Sequence, residues 1–147
     1  MKEIILKSGE KALVDDEDYE LLNKFKWQYQ LGYAVRNIKV YMHRDIIKTE
    51  EGLETDHING NKLDNRKENL RKVTQSQNQA NRKKGKNKSS IYKGVIWHKR
   101  RNHWLAQITI NRKKIYLGSF NNEIDAAKAY NEAAIKYFGE FARLNEV

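Results

Sequence analysis

Residues 82–90, Arg-Lys-Lys-Gly-Lys-Asn-Lys-Ser-Ser, hold no apolar side chain, and five of the seven from Arg82 to Lys88 are basic. Such a stretch has nothing to bury and repels itself, so it reads as a solvated tether. A chain of 147 residues interrupted there folds as two small modules, each with its own core. The boundaries read as 1–84 for the first module, divided into a lead-in (1–50) and a core motif (51–84), then 85–90 for the basic linker and 91–147 for the second module. There is no cysteine, so neither disulfides nor Cys-ligated zinc can staple modules of this size. Packing must hold them, and 3 Trp and 8 Tyr supply large side chains for it.

Charge narrows the partner. Residues 1–57 carry 9 basic and 12 acidic side chains, a net of −3, whereas residues 58–147 carry 20 and 7, a net of +13. So basic a second part favours a polyanion. Arg82, Lys83 and Lys84 of the tether are candidates to lie along phosphates, each contact adding salt-dependent affinity. The opening Met-Lys-Glu-Ile-Ile-Leu-Lys-Ser-Gly-Glu has no apolar run long enough for a signal peptide, and no stretch is long and apolar enough to span a bilayer. The expectation is a soluble protein of a reducing cytoplasm with no membrane partner.

The lead-in reads as a small α+β segment. Ile4 and Leu6 share a strand face. Asp15 or Asp16 caps a short helix running to about Phe25, with Tyr19, Leu22 and Phe25 at helical spacing. Trp27, Tyr29 and Leu31 alternate with polar residues as a strand does, Gly32 breaks the run, and Tyr33, Val35, Val40 and Met42 suggest a hairpin turning near Asn37. His43 is open to two readings, a phosphate contact or a structural histidine.

The core motif reads as strand, long loop, strand, helix: Leu53–Ile58, a turn at Asn59-Gly60-Asn61, a second strand bracketed by Leu70 and Val73, and a helix capped by Thr74 and running to about Arg82. Asp56 and His57 end the first strand. Asn69 follows His57 by twelve residues, and Asn78 follows Asn69 by nine. A carboxylate, an imidazole and two amides at such spacing match the needs of a one-metal phosphodiester-cleaving site. Imidazole titrates near neutrality, which suits His57 as the base for an attacking water. A hard cation takes oxygen donors and keeps waters, which suits Asp56 and the amide of Asn78 as ligands. Asn69 can both donate and accept, so it suits a brace that ties the two sides of the loop and orients His57. Taken singly, these pieces also fit an ordinary hairpin with capping asparagines.

In the second module three strands are expected, Ile91–Trp97, Trp104–Ile110 and Lys114–Phe120, followed by a helix capped by Asn121 or Asn122 and ended by Gly139. Trp104, Ala106, Ile108 and Ile110 share one face of the middle strand. The helix stripe is Ile124, Ala127, Tyr130, Ala134 and Phe138, widened by Ala126, Ala133 and Tyr137. The other sheet face then stays open, displaying Gln107, Thr109, Lys114 and Tyr116 beside turns that carry Lys99, Arg100 and Arg101. A basic open sheet can enter a major groove.

The run Asp56-His57-Ile58-Asn59-Gly60-Asn61, Asp64-Asn65-Arg66, Asn69-Leu70-Arg71, Val73-Thr74-Gln75 and Asn78, with Met42-His43-Arg44 upstream, resembles the HNH nucleases, in the H-N-N variant found among phage and intron homing endonucleases. The resemblance implies a ββα-metal fold with one divalent ion, magnesium or else manganese. It assigns His57 as general base, Asp56 and Asn78 as metal ligands and Asn69 as the loop brace. Residues 91–145 resemble the DNA-binding domain of plant ethylene-response factors, the APETALA-two (AP2/ERF) family. The matches are Tyr92-Lys93-Gly94-Val95, Trp104, Ala106-Gln107-Ile108, Tyr116-Leu117-Gly118-Ser119-Phe120, Asp125-Ala126-Ala127, Ala129-Tyr130 and Leu144-Asn145. Carried over, Lys93, Gly94, Gln107, Thr109, Lys114, Tyr116 and Ser119 fall on DNA-contact positions. Ile96, His98 and Thr109 depart from the plant pattern, so the target sequence is not inherited.

The expectation is therefore an α+β chain: a ββα-metal nuclease domain, then a three-stranded antiparallel sheet packed on one helix. It would be a metal-dependent, homing-type endonuclease of double-stranded DNA, acting as a monomer in a bacterium or phage-infected host. The alternatives are a DNA-binding regulator with an inactive nuclease domain, and an RNA-binding module.

Overall fold

The computed structural model describes residues 1–37, 40–85 and 89–147, so residues 86–88 of the expected linker lie outside it. Its contacts divide the chain into two units, Met1–Gln75 and Ser76–Val147. Among the described residues no helix is long and apolar enough to cross a membrane.

The first unit opens with an antiparallel hairpin, β1 (Lys2–Ile5) and β2 (Lys11–Val14), in the register Lys2↔Val14 to Ile5↔Lys11. Helix α1 (Asp16–Leu22) follows. Strands β3 (Gln28–Gln30), β4 (Tyr33–Arg36) and β5 (Val40–Tyr41) form an antiparallel sheet in that order. Helix α2 (Met42–Ile46) leads to the paired strands β6 (Glu54–His57) and β7 (Leu70–Val73). The core is Ile4, Leu6, Ala12, Val14, Leu22, Trp27, Ala34 and Met42, with Tyr19, Ile46 and Leu63 packed against it. Ile4 and Leu6 do share the inward face. Trp27 is fully buried, and its indole N–H donates to the Leu22 carbonyl at 2.8 Å. That bond satisfies a buried donor, on a helix-end carbonyl that also accepts from the Phe25 N–H at 3.1 Å.

Three local expectations change. Helix α1 stops at Leu22, so Phe25 lies outside it and stacks under the Arg36 guanidinium, 3.8 Å from the ring centroid. Leu31 is a turn residue, 81% exposed, because the β3–β4 hairpin closes in two residues, Leu31 (φ 50) and Gly32 (φ 92). A two-residue turn of type I′ has positive φ at both positions, and glycine fills only one of them here. Met42 belongs to helix α2 and to the core, not to a hairpin.

In the second unit helix α3 (Gln75–Asn81), which falls almost wholly within it, precedes strands β8 (Val95–His98), β9 (His103–Ile110) and β10 (Lys113–Phe120). These make the expected three-stranded antiparallel sheet, order β10-β9-β8. Helix α4 (Glu123–Phe138) packs on one face. Asn122 caps it, accepting from the Ile124 N–H at 2.8 Å. Val95, Ala106 and Ile108 meet Ala126, Ala127, Tyr130, Ala133 and Ala134, and the alanines let the helix lie close to the sheet. Ile124 and Tyr137 are exposed instead, because the buried stripe is centred on the alanines. Strand β8 starts only at Val95, not Ile91. Gly94 has φ +76, which breaks extended backbone, and Ile91 points to solvent.

Candidate active site and nucleic-acid surface

Asp56 and His57 are the last two residues of β6, facing Arg71 and Leu70 across the ladder. Both are buried. Arg71 reaches Asp56 Oδ2 through Nε and Nη2, each at 3.0 Å, so the carboxylate is held by a cross-strand fork.

The chain then leaves the sheet for the loop at 58–69, which is tied by side-chain amides. Ile58 N–H donates to the Asn69 carbonyl at 2.9 Å, closing the loop at its base. Asn69 spans it: Oδ1 accepts from the Asn59 N–H at 3.0 Å and Nδ2 donates to the Asp64 carbonyl at 2.8 Å. Asn59 Oδ1 accepts from the Asn61 N–H at 2.7 Å, and Asn61 Oδ1 from the Leu63 N–H at 3.2 Å, an Asx-turn relay that fixes the Asn-Gly turn. The Asp64 carboxylate takes Arg66 Nε and Nη2, both at 2.7 Å, and the Asn59 amide at 2.9 Å. These partners, Arg66 first, hold the Asp64 carboxyl below its usual range.

His57 does not touch Asn69 through any of these bonds. Its Nε2 lies 3.2 Å from Asn65 Oδ1. Around the imidazole stand Tyr33, with ring centroids 5.9 Å apart, and His43, edge-on at 5.1 Å and 90°. Tyr33 and Tyr41 pack in turn on His43. Burial, then the charge His57 would carry, pushes His43 down to about 3, so it is a neutral, structural member of an aromatic box. Burial also lowers His57, against the upward pull of Asn65 and Asp56. A histidine kept neutral at pH 7 is one that can accept a proton.

The lead-in grips this loop. Leu13 forms a parallel bridge with Asp64, Asp15 Oδ2 accepts from the Lys67 N–H at 2.7 Å, and Lys67 pairs with Glu17 and Asp18. Asp15 thus spends its carboxylate on the loop, although it stands at the N-cap position of α1, where no side-chain capping bond forms. Sequence reasoning missed Asp64, Asn65 and the clasp. The available signal was Asp64-Asn65-Arg66 itself, polar residues midway between the two strands, two of which prove fully buried.

The residues expected to hold a metal give oxygen donors, the Asp56 carboxylate and the Asn78 amide, a set that fits a hard divalent cation retaining waters. Asn78 lies on helix α3, half-buried. Among the described residues no group of three or more His, Cys, Asp or Glu is placed to hold a metal.

In the second unit the ladder pairs Lys114 with Thr109, Tyr116 with Gln107 and Ser119 with Leu105, which puts these six on the sheet face away from α4. Lys114, Thr109 and Ser119 are exposed, and Tyr116 is 60% exposed. Lys99, Arg100 and Arg101, in the β8–β9 loop, are exposed too, as are Arg82 and Lys83. Three expected contact residues look inward. Lys84 Nζ donates to the carbonyls of Tyr92 and Val95. Lys93 Nζ sits on the carbonyls of Ala80 and Arg82 at the end of α3, where burial, Arg143 and Arg82 push it down to about 8. A Cβ on Gly94 would meet Tyr130 Cδ2 at 1.9 Å. Asn145 locks this corner, bonding both backbone groups of Lys93 and, through its own backbone, the Asn131 amide.

Residues 41–80 match the HNH endonuclease family and residues 90–140 the AP2 domain. An uncharacterised HNH endonuclease of Acanthamoeba polyphaga mimivirus is 31% identical over 148 residues, covering 95% of this chain and 76% of that protein. An AP2-like ethylene-responsive transcription factor of Arabidopsis thaliana is 40% identical over 62 residues, and an APETALA2-like protein of Oryza sativa 40% over 60. Those two matches take in 42% and 41% of this chain and only 13% and 14% of the plant proteins, so the likeness there is to one domain.

Proposed function

The chain belongs to the HNH endonuclease family and carries an AP2 DNA-binding domain, and from that premise we propose that it is a metal-dependent, site-specific endonuclease of the homing type. The observation that carries the reading is the state of His57. It is a buried imidazole at a strand end, adjacent to Asp56, bonded at Nε2 and kept below its ordinary pKa, in a loop that Asn69 braces. The family match at 41–80 takes in Asp56, His57, Asn69 and Asn78 together.

In this reading a phosphodiester lies beside the end of β6. His57 takes a proton from a water as the water oxygen attacks phosphorus in line. The P–O3′ bond breaks, the phosphate stays on the 5′ side, and the 3′ oxygen leaves and is protonated from solvent. Asp56 and the amide oxygen of Asn78 would hold a divalent cation, magnesium or manganese, whose chemistry there would be to neutralise charge on the phosphate and the departing oxygen. Asn69 keeps the loop at one width. The AP2 sheet reads the site with Gln107, Thr109, Tyr116 and Ser119, while Lys114, Lys99, Arg100 and Arg101 hold backbone phosphates. One active site makes one nick per binding event.

A supercoiled-plasmid assay with and without magnesium tests this. Wild type is expected to nick only with metal, and His57→Ala to lose the activity. Undiminished nicking by His57→Ala removes the base, and nicking in excess chelator removes the metal.

A further inference from the structure

The lead-in takes no part in the chemistry above, yet it is built into the loop that does. Strand β2 donates from the Leu13 N–H to the Leu63 carbonyl, and the Leu13 carbonyl accepts from the Asn65 N–H, each at 2.8 Å. This pins the backbone of Asn65, and its side chain is fully buried. The amide then has one arrangement that satisfies both of its ends. Nδ2 donates to the Leu63 carbonyl at 3.2 Å, and Oδ1 faces His57 Nε2 at 3.2 Å. A flipped amide would set Oδ1 against the Leu63 oxygen, two acceptors in contact in a site closed to water. An acceptor held against Nε2 requires the proton there. A histidine that acts as a base is neutral and has one ring N–H, so the lone pair is left on Nδ1.

We propose that Asn65, clamped by β2, is a positioning residue that locks His57 as its Nε2–H tautomer, making Nδ1 the nitrogen that takes the proton. What Nδ1 does rests on the nuclease reading; the tautomer itself does not. Asn65 plays the part a carboxylate plays behind a catalytic histidine elsewhere, fixing orientation and tautomer while adding no charge. Asn69, the loop brace, is not placed for this, because its oxygen and its nitrogen are committed to Asn59 and Asp64.

The test reads the tautomer directly in the full-length chain by long-range proton–nitrogen correlation of the imidazoles. The protein has 4 histidines, each assigned by a single substitution. Wild type is expected to show His57 protonated on Nε2, with no need for metal or DNA. Asn65→Ala is expected to give a mixture of tautomers and a kcat lower by about 10–100-fold, the range for loss of a supporting partner, with KM for DNA little changed. A wild-type His57 protonated on Nδ1 overturns the proposal, and that spectrum decides even if Asn65→Ala does not fold. Equal rates for wild type and Asn65→Ala also overturn it. An Nε2–H tautomer in a protein that cuts no DNA would sink the nuclease reading and leave the positioning claim standing.

Discussion

Replacing Gly94 by alanine separates a folding role from a contact role at the edge of the AP2 sheet. At φ +76 a side chain costs about 1 kcal/mol in backbone strain. The new Cβ would stand 1.9 Å from Tyr130 Cδ2, 2.5 Å from Cε2 and 2.6 Å from the Gln107 carbonyl oxygen. Neither neighbour gives way cheaply. Tyr130 is on the buried face of α4, and Gln107 lies in the central strand, where its N–H already bonds to the Gly94 carbonyl at 2.8 Å. Forced overpacking of this kind costs about 1–3 kcal/mol. The sum is roughly 2–4 kcal/mol, against a total of about 4–10 kcal/mol for a unit of roughly 70 residues. Gly52→Ala is the control, since it has φ +84 and nothing within 4 Å, so it should lose only the backbone part. Urea unfolding of the full chain, read by amide exchange in β9 and β10 for Gly94→Ala and in β6 and β7 for Gly52→Ala, measures both. Gly94→Ala should lose at least 1 kcal/mol more than Gly52→Ala. If the two lose the same, the steric reasoning is wrong. If Gly94→Ala stays folded but no longer binds DNA, Gly94 is a contact residue after all.

Other outcomes follow from particular bonds. The Asp64 carboxyl has a lower pKa in the folded state than in the unfolded chain, so its contribution is complete above the ordinary carboxyl value of 3.8 and is lost as pH falls through the folded-state value. The acid-induced drop in the urea midpoint of the first unit should therefore shrink in Asp64→Asn, which should also be less stable than wild type at pH 7 by roughly 2–3 kcal/mol, having lost its charge-assisted bonds. Asn145→Ala should lower the stability of the second unit by about 2 kcal/mol, through the loss of two side-chain bonds to the Lys93 backbone, as measured by the same exchange experiment. Lys114→Ala and Arg101→Ala should weaken binding to all DNA sequences alike and reduce the salt slope by about 1 each, whereas Gln107→Ala should alter which sequence is preferred; fluorescence titrations at several salt concentrations separate the two.

How far the chain can be read without coordinates differs by element. Strand, loop, strand, helix at 54–81 follows from short apolar brackets around an Asn-rich turn, and the structure has those elements. The period-2 alternation in β9 places Ala106 and Ile108 inward and Gln107 and Thr109 outward, because a strand has no other way to arrange them. Leu31 defeats the same logic. Its alternation with Trp27 and Tyr29 is genuine, but the hairpin needs two residues for its turn and takes Leu31 as one of them. Ile124 and Tyr137 fail for a related reason: a helix rich in alanine has several candidate faces, and only the sheet it meets selects one.

The sequence by itself determined that the excess positive charge falls in its second part, how the strands of the second unit alternate, and the run of residues that marks the HNH family. These are local properties, set by period, turn chemistry and side-chain type within a few residues. Only the tertiary structure decided that Asn65 rather than Asn69 meets His57, that Asp15 serves Lys67 rather than its own helix, and that Lys93 turns onto the carbonyls of α3. Each is a choice among polar partners far apart in sequence. A buried donor or acceptor must take whichever complementary group the packed chain brings within about 3 Å.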